Sequence, residues 1–262
     1  MKYSIQTFTL REYMKTPEDL DKTLDEVAKM GYESVQITPP SFTNAKSLSS
    51  QLTSKGLSAD SAFCGVYAIP ENIGKIVEDA GYLGTNVLRT DSIRPEDRTS
   101  EEGYRSFAKH LNACGKLLRA EGLDFMYHFH SFEFVKFGVA RGIDILLHET
   151  DPEFVMFQPD VFWLTAAGTE ASRELEKFRG RARYMHCKDY IVAARKEGDA
   201  LEVIRNASAP VGTGNLAWKE ILKTAKSIGI ENLVVEDDMG VLPPFESAAI
   251  SLPNLKKLFE EV

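Results

Sequence analysis

Short β-rich runs and longer amphipathic stretches alternate along the whole chain. Apolar and β-branched residues gather at 3–8, 34–37, 57–63, 86–90, 124–130, 155–162, 183–190 and 233–238. Each run is of strand length and is bounded by polar or turn-forming residues, which predicts eight strands. Between them the apolar period lengthens to that of a helix. It is clearest over 17–30, where Leu20, Leu24, Val27 and Ala28 share one face. Thr16 can cap that helix, Pro17 suits its first turn, Asp19 complements its positive end, and Gly31 can close it. Further amphipathic stretches cover about 98–121, 215–229 and 244–261. The segments "MGYESV", "KGLSAD", "AGYLGTNV", "EGLDFM" and "IGIENLVV" each place glycine between a helix and the next strand. There the left-handed conformation that glycine tolerates is what ends a helix.

Eight strands with intervening helices predict an α/β fold, a (β/α)8 TIM barrel occupying residues 1–262 as a single domain. An open, doubly wound sheet is the alternative, but no GxGxxG follows the first strand. The longest polar interruption, "VAARKEGDALEVIRNASAP" (192–210), reads equally as a lid over a site or as a surface excursion. Composition narrows the class. The 262 residues include 43% hydrophobic ones, enough for a large core, with no run of 18 apolar residues, so no membrane partner is expected. The start "MKYSIQTFTL" lacks a signal-peptide pattern, and Cys64, Cys114 and Cys187 are scattered. Both point to a cytoplasmic protein with reduced thiols. A net charge of −8 without a basic cluster argues against nucleic acid as a partner.

In a barrel of this kind chemistry sits at the C-terminal ends of the strands. Strand 5 ends in "YHFHSFEF", with His128, His130 and, just beyond, Glu133. Strand 6 ends in Asp160, strand 7 in His186, Lys188 and Asp189, and strand 8 in Glu236, Asp237 and Asp238. Gln6, Arg11, Gln36 and Arg89 on the earlier strands could hydrogen-bond a polar ligand. Several carboxylates at one mouth repel each other and are costly to bury unless a cation joins them. Oxygen donors with imidazole suit Mn2+, Co2+, Zn2+ or Mg2+. Cys187 should face away from the barrel axis, because neighbours on a strand alternate. Glu236 is the strand-8 ligand expected, since it ends the apolar run "LVV", while Asp237 and Asp238 can also be solvated turn residues.

The order "YHFHSFEF", "PDVFWLTAAG", "RARYMHCKDY", "PVGTGNLAWKEIL" and "LVVEDD", with "IQTFTLREYM" and "MGYESVQI" near the start, resembles the sugar phosphate isomerase/epimerase family of xylose-isomerase-like TIM barrels. The resemblance runs nearly end to end. It implies one divalent metal ion, Mn2+ first, held by two glutamates, an aspartate and a histidine. Carried over by motif, these are Glu133, Asp160, His186 and Glu236, with His128 second choice to Glu133. Two positions depart from the common pattern: Phe129 stands where relatives often carry asparagine, and Gln36 where they often carry glutamate. The resemblance also implies a homo-oligomer, dimer or tetramer.

The chemistry implied is isomerisation or epimerisation beside the carbonyl of a small carbohydrate, through an enediolate. Glu133 and Glu236 would move the proton, while His128, His130 and Lys188 would bind substrate oxygens. Trp163 is either a wall for the sugar face or plain packing, and "VGTGN" (211–215) is either a phosphate-binding turn or a helix entry. A lyase acting on a keto-inositol or 3-keto-glycoside starts with the same proton removal and stays open beside the isomerase. An apurinic-site endonuclease-like hydrolase is disfavoured by only five histidines and the acidic charge, and a non-catalytic sugar-binding protein by the intact ligand set.

Overall fold

The computed structural model describes residues 1–197 and 200–262, with side chains described outside 193–206. Eight parallel strands form the barrel: β1 (Lys2–Gln6), β2 (Ser34–Ile37), β3 (Ser58–Phe63), β4 (Val87–Asp91), β5 (Asp124–His128), β6 (Met156–Gln158), β7 (Tyr184–Cys187) and β8 (Asn232–Val235). Their lateral order is β6-β5-β4-β3-β2-β1-β8-β7. The remaining gap is bridged between Asp160 and His186, where the His186 N–H donates to the Pro159 carbonyl at 2.8 Å. The result is a nearly closed TIM barrel with helices between the strands.

Alternation along each strand separates two cores. Val87, Met126, Tyr184 and Val234, with Met156, fill a small layer inside the barrel. The opposite faces, including Ile5, Val35, Phe125, Phe157, Met185 and Leu233, meet the helices in one continuous outer core. Each such side chain removed from water contributes about 1.5–3 kcal/mol. Cys187 lies in that outer core, facing away from the axis as its parity requires. The first helix, α1 (Pro17–Lys29), buries Leu20, Leu24 and Val27, and the Thr16 hydroxyl accepts from the Asp19 N–H at 3.1 Å. The glycines expected to end helices do so: Gly31, Gly56, Gly84, Gly122 and Gly229 all have positive φ.

The strands are shorter at their C-terminal ends than the sequence suggests, for local reasons that build the mouth. β5 stops at His128 and the chain tightens into a 3-10 turn, Ser131–Phe134. β6 stops because Asp160 caps the helix Val161–Ala166, its Oδ1 accepting from the Phe162 N–H at 2.8 Å and the Trp163 N–H at 3.3 Å. β7 hands over to an antiparallel pair, Asp189–Glu197 with Ala200–Ala209. The polar interruption at 192–210 is therefore largely extended pairing, and Gly198 and Asp199, like the side chains of 193–206, on which a lid would depend, lie outside the described residues. Among the described residues no helix is long and apolar enough to cross a membrane.

Helix Glu101–Ala120 presses through Gly115 on the turn that leads into β6, where an added Cβ would lie 2.3 Å from the Phe154 carbonyl oxygen. We expect Gly115→Ala to destabilise by about 1–3 kcal/mol through forced displacement of that backbone. Gly81, in helix Ile69–Leu83, has nothing within 4 Å of its Cβ position. Gly81→Ala should stabilise by about 0.5–1 kcal/mol. Urea unfolding of the two variants with a shared slope checks both, and equal midpoints would refute the close approach.

Candidate metal centre

Parity delivers the site. On β7 and beyond, His186 and Lys188 share the inner face; on β8 and beyond, Val234, Glu236 and Asp238 do. β5 brings His128 inward, and the bend after β6 brings Asp160 beside His186. His128, Asp160, His186 and Glu236 each present a ligand atom, and the four atoms lie within 4.8 Å of one another. All four residues are buried. The His186 Nδ1 is 3.2 Å from Glu236 Oε2 and 3.6 Å from Asp160 Oδ2.

The electrostatics of this group are unusual for an interior. Burial pushes the Asp160 carboxyl up, against the pull of His186 and Lys188. Burial also opposes ionisation of Glu236, but His186 beside it, with Lys188 and His128, outweighs that and holds it well below the usual range. For His186 burial works against the charged ring, yet Glu236 and Asp160 draw a proton onto it and lift it to about 9. His128 is driven well below the ordinary imidazole value, first by burial and then by His186 and His130. His130 falls to about 4, again chiefly through burial.

Two buried atoms at the centre, Asp160 Oδ2 and His186 Nδ1, make no hydrogen bond of good geometry, although Nδ1 lies within ion-pair distance of Glu236. Buried polar atoms are normally satisfied, and two that converge among carboxylates and imidazoles are atoms a divalent cation would satisfy. The donor set, carboxylate oxygens with two imidazole nitrogens, fits a divalent transition ion or zinc. His128 Nδ1 lies 3.4 Å from the Gln158 carbonyl, which leaves its Nε2 as the nitrogen with a free lone pair.

The structure does not bring Glu133 to this group, which corrects the ligand and proton-transfer roles expected of it. Its carboxyl turns back into the 3-10 turn, where Oε1 accepts from the Tyr127 hydroxyl and Oε2 from the His130 N–H at 2.9 Å. Burial lifts Glu133 to about 8, and both of its carboxyl oxygens are committed within its own turn, away from the four-residue group. The place expected of a carboxylate is taken by the His128 imidazole.

A cavity of about 370 Å³ opens above the group, lined among others by Gln6, Arg89, His128, His130, Trp163 and Glu236. Trp163 faces it, with its ring centroid 5.2 Å from that of His130. Lys188 is fully buried, its Nζ 4.6 Å from the Phe162 ring centroid and 4.9 Å from that of Trp163, and it is paired with Asp238. Burial disfavours its charge, but Glu236, Asp160 and Asp238 overcome this and keep it protonated. Arg11 sits outside the cavity lining, bonded to the Phe8 and Asp238 carbonyls.

Asp189 and Asp237 face the other way, as odd members of their runs. Asp189 accepts from the Gly212 N–H at 2.9 Å, the Gly214 N–H at 3.0 Å, the Leu216 N–H at 3.3 Å and the Trp218 indole at 2.7 Å. Of the "VGTGN" donors, Gly212 and Gly214 are thereby taken by the chain's own carboxylate, while Val211, Thr213 and Asn215 donate to Ser251 Oγ and the Pro210 and Tyr190 carbonyls, so the segment is a helix entry with no N–H left for a phosphate. Asp237 is buried and ties the Ser208 and Ser247 hydroxyls, so it is no solvated turn residue. The sequence reading missed Asp91 and Ser92, which also line the cavity. Asp91 pairs with Arg89 at 2.9 Å, and the two-residue spacing from Arg89 was the signal for it. Ser92 holds a positive φ of 69°, rare for a side chain other than glycine.

Comparison with known proteins agrees with this architecture. The chain is 28% identical over 182 residues to inosose dehydratase 2 of Bacillus cereus (strain ZK / E33L), covering 66% of this chain and 60% of that one. The chain thus spans less than two thirds of that relative's length. It is 24% identical over 257 residues to inosose dehydratase of Geobacillus thermodenitrificans (strain NG80-2), covering 87% of this chain and 86% of the relative. In structure it resembles a sugar phosphate isomerase/epimerase from Parabacteroides distasonis ATCC 8503, with TM-score 0.78, 19% identity and 98% of each chain covered. Residues 24–256 match the family model of the xylose isomerase-like TIM barrel, and the chain belongs to that family.

Proposed function

We propose that this chain is a divalent-metal-dependent lyase that removes water from a small, neutral, polyhydroxylated cyclic ketone of the keto-inositol class. The observation that carries the reading is the convergence of His128, Asp160, His186 and Glu236, with two poorly satisfied atoms at their centre, under a cavity at the C-terminal mouth. The choice of lyase over the isomerase expected from the sequence is supported by the names of the two relatives, both inosose dehydratases. A neutral substrate is supported by the cavity lining: Arg89, the one Lys or Arg among the described residues that line it, is already paired to Asp91.

The four residues would hold the cation through His128 Nε2, His186 Nδ1 and carboxylate oxygens of Asp160 and Glu236, with Mn2+ the ion expected first. Once bound, it supplies Lewis-acid polarisation of a substrate carbonyl. The chain's own groups do the rest. Trp163 offers an apolar face to the ring carbons. The Lys188 charge, fixed by Asp238, stabilises negative charge that grows toward the carbonyl oxygen. His130, which lines the cavity and stands outside the four-residue cation group, takes the proton from the carbon beside the carbonyl. It returns that proton to the hydroxyl leaving the next carbon, and water departs while a carbon–carbon double bond forms.

Two outcomes follow. Calorimetry on chelator-stripped protein should show His128→Ala lowering Mn2+ or Zn2+ affinity at least about 100-fold, while Glu133→Gln stays within about threefold. Because His186 holds a proton below about 9 and must release it to bind a cation, affinity should rise about tenfold per pH unit up to that value and flatten above it. Reversed behaviour of the two variants would restore Glu133 as ligand. With Mn2+-loaded protein, keto-inositols in D2O should lose water with metal-dependent kinetics followed by NMR. His130→Phe should lower kcat about 10²–10⁴-fold with cation affinity unchanged. Deuterium uptake without loss of water, yielding an isomeric ketone, would decide for the isomerase.

A further inference from the structure

Beneath the candidate metal centre lies a chain of buried side-chain hydrogen bonds whose direction is fully determined. It begins at a group that can only donate, the Phe8 backbone N–H, which reaches Gln6 Oε1 at 3.2 Å. With its oxygen committed there, Gln6 presents its amide nitrogen to Gln36, and Nε2 lies 3.0 Å from Gln36 Oε1. Gln36 must therefore turn its oxygen toward Gln6, and its own nitrogen donates to Ser61 Oγ at 2.8 Å. Ser61 in turn donates to Asp60 Oδ1 at 3.0 Å. Gln36 Oε1 also lies 2.7 Å from His186 Nε2. An oxygen already accepting from Gln6 cannot donate, so His186 Nε2 carries the hydrogen.

We propose that Gln36 is a positioning residue for the metal centre: by accepting from His186 Nε2–H it fixes the ring's tautomer and tilt, so that the Nδ1 lone pair faces Asp160, Glu236 and the cation. The proposal rests on the cation-binding reading above for its functional meaning, but not for its geometry. Gln6, Gln36, Ser61 and His186 are all buried, so a lost partner leaves a polar group unpaired at a cost. Outer partners of a metal-bound imidazole typically change metal affinity by 10–100-fold. The polarity of the chain also explains why an amide suffices: Gln6 forces on Gln36 the acceptor orientation that a carboxylate would hold without help.

The test uses the full chain with 15N-labelled histidine, in wild type, Gln36→Met and Gln36→Glu. In the cation-free protein at neutral pH His186 carries both ring hydrogens, so the signal reports the hydrogen bond to Gln36 and not the tautomer; wild type and Gln36→Glu should show a slowly exchanging, downfield His186 Nε2–H correlation. Gln36→Met should lose it or move it upfield, with the fold verified by circular dichroism. Zn2+ titration should then show affinity lowered about 10–100-fold in Gln36→Met and restored in Gln36→Glu. An unchanged Nε2–H signal in Gln36→Met, or Zn2+ bound at wild-type affinity by that variant, overturns the proposal. Failure of wild type itself to bind Zn2+ or Mn2+ would remove the cation reading instead, and the cation-free spectra would still decide whether the chain sets the ring.

Discussion

The constraint on which the site depends is the cost of holding Asp160, Glu236 and two imidazoles together, out of water, at the top of a barrel. Two carboxylates a few ångströms apart in a low-dielectric interior repel strongly, and each has given up its hydration. Without a cation the group draws a proton onto His186, and Glu236 remains charged at the expense of its neighbours. That arrangement is tolerable only because Lys188 lies close by, itself anchored by Asp238 and the faces of Phe162 and Trp163. A divalent ion removes the repulsion and satisfies Asp160 Oδ2 and His186 Nδ1 in one step, which is why the cluster is more intelligible as a metal centre than as a structural network.

The rest of the mouth is built to keep those four groups where they are. Asp160 serves two elements at once: Oδ1 caps the helix Val161–Ala166, and Oδ2 is left to face the centre. The helix cap thus orients the carboxylate, and loss of either function would disturb the other. Asp189 and Asp237 perform the same service one position along their strands. They face outward, collect backbone and hydroxyl donors from the segments that follow β7 and β8, and hold those segments against the barrel. Neighbouring residues in "CKDY" and "VEDD" therefore divide, by strand parity alone, into members of the site and braces of its wall.

Parity is also what made much of this legible in the sequence. The runs "RYMHCKDY" and "LVVEDD" carry His186, Lys188, Glu236 and the outward Cys187 in an order that follows from two-residue alternation. The eight strands and the glycine-ended helices follow from hydrophobic period and turn chemistry. What alternation does not carry is the fate of a side chain after the strand has ended. Glu133 lies three residues beyond His130, in a turn whose hydrogen bonds point its carboxyl back at Tyr127 and the His130 N–H. In "VGTGN" the backbone donors are evident, but not that Asp189, more than twenty residues earlier, fills them. Such contacts depend on how separate loops meet, and no local pattern encodes that.

The charge around the cavity bears on what the site can accept. Asp160, Glu236, Asp91 and Asp238 supply the carboxylates; Arg89 and Lys188 supply the counter-charges, each already engaged by one of them. Adding a divalent ion leaves the set close to neutral, with no lysine or arginine among the described lining residues unpaired. A phosphate dianion entering such a mouth would have to break the Arg89–Asp91 pair or lie against uncompensated carboxylates, and the glycine turn that could have received it is closed by Asp189. A neutral polyol, the substrate proposed above, would meet no such penalty: its hydroxyls could bond to the carboxylate and amide edges, with its ring carbons against Trp163. Among the described residues the charge balance thus fits the neutral substrate proposed above better than a phosphorylated one.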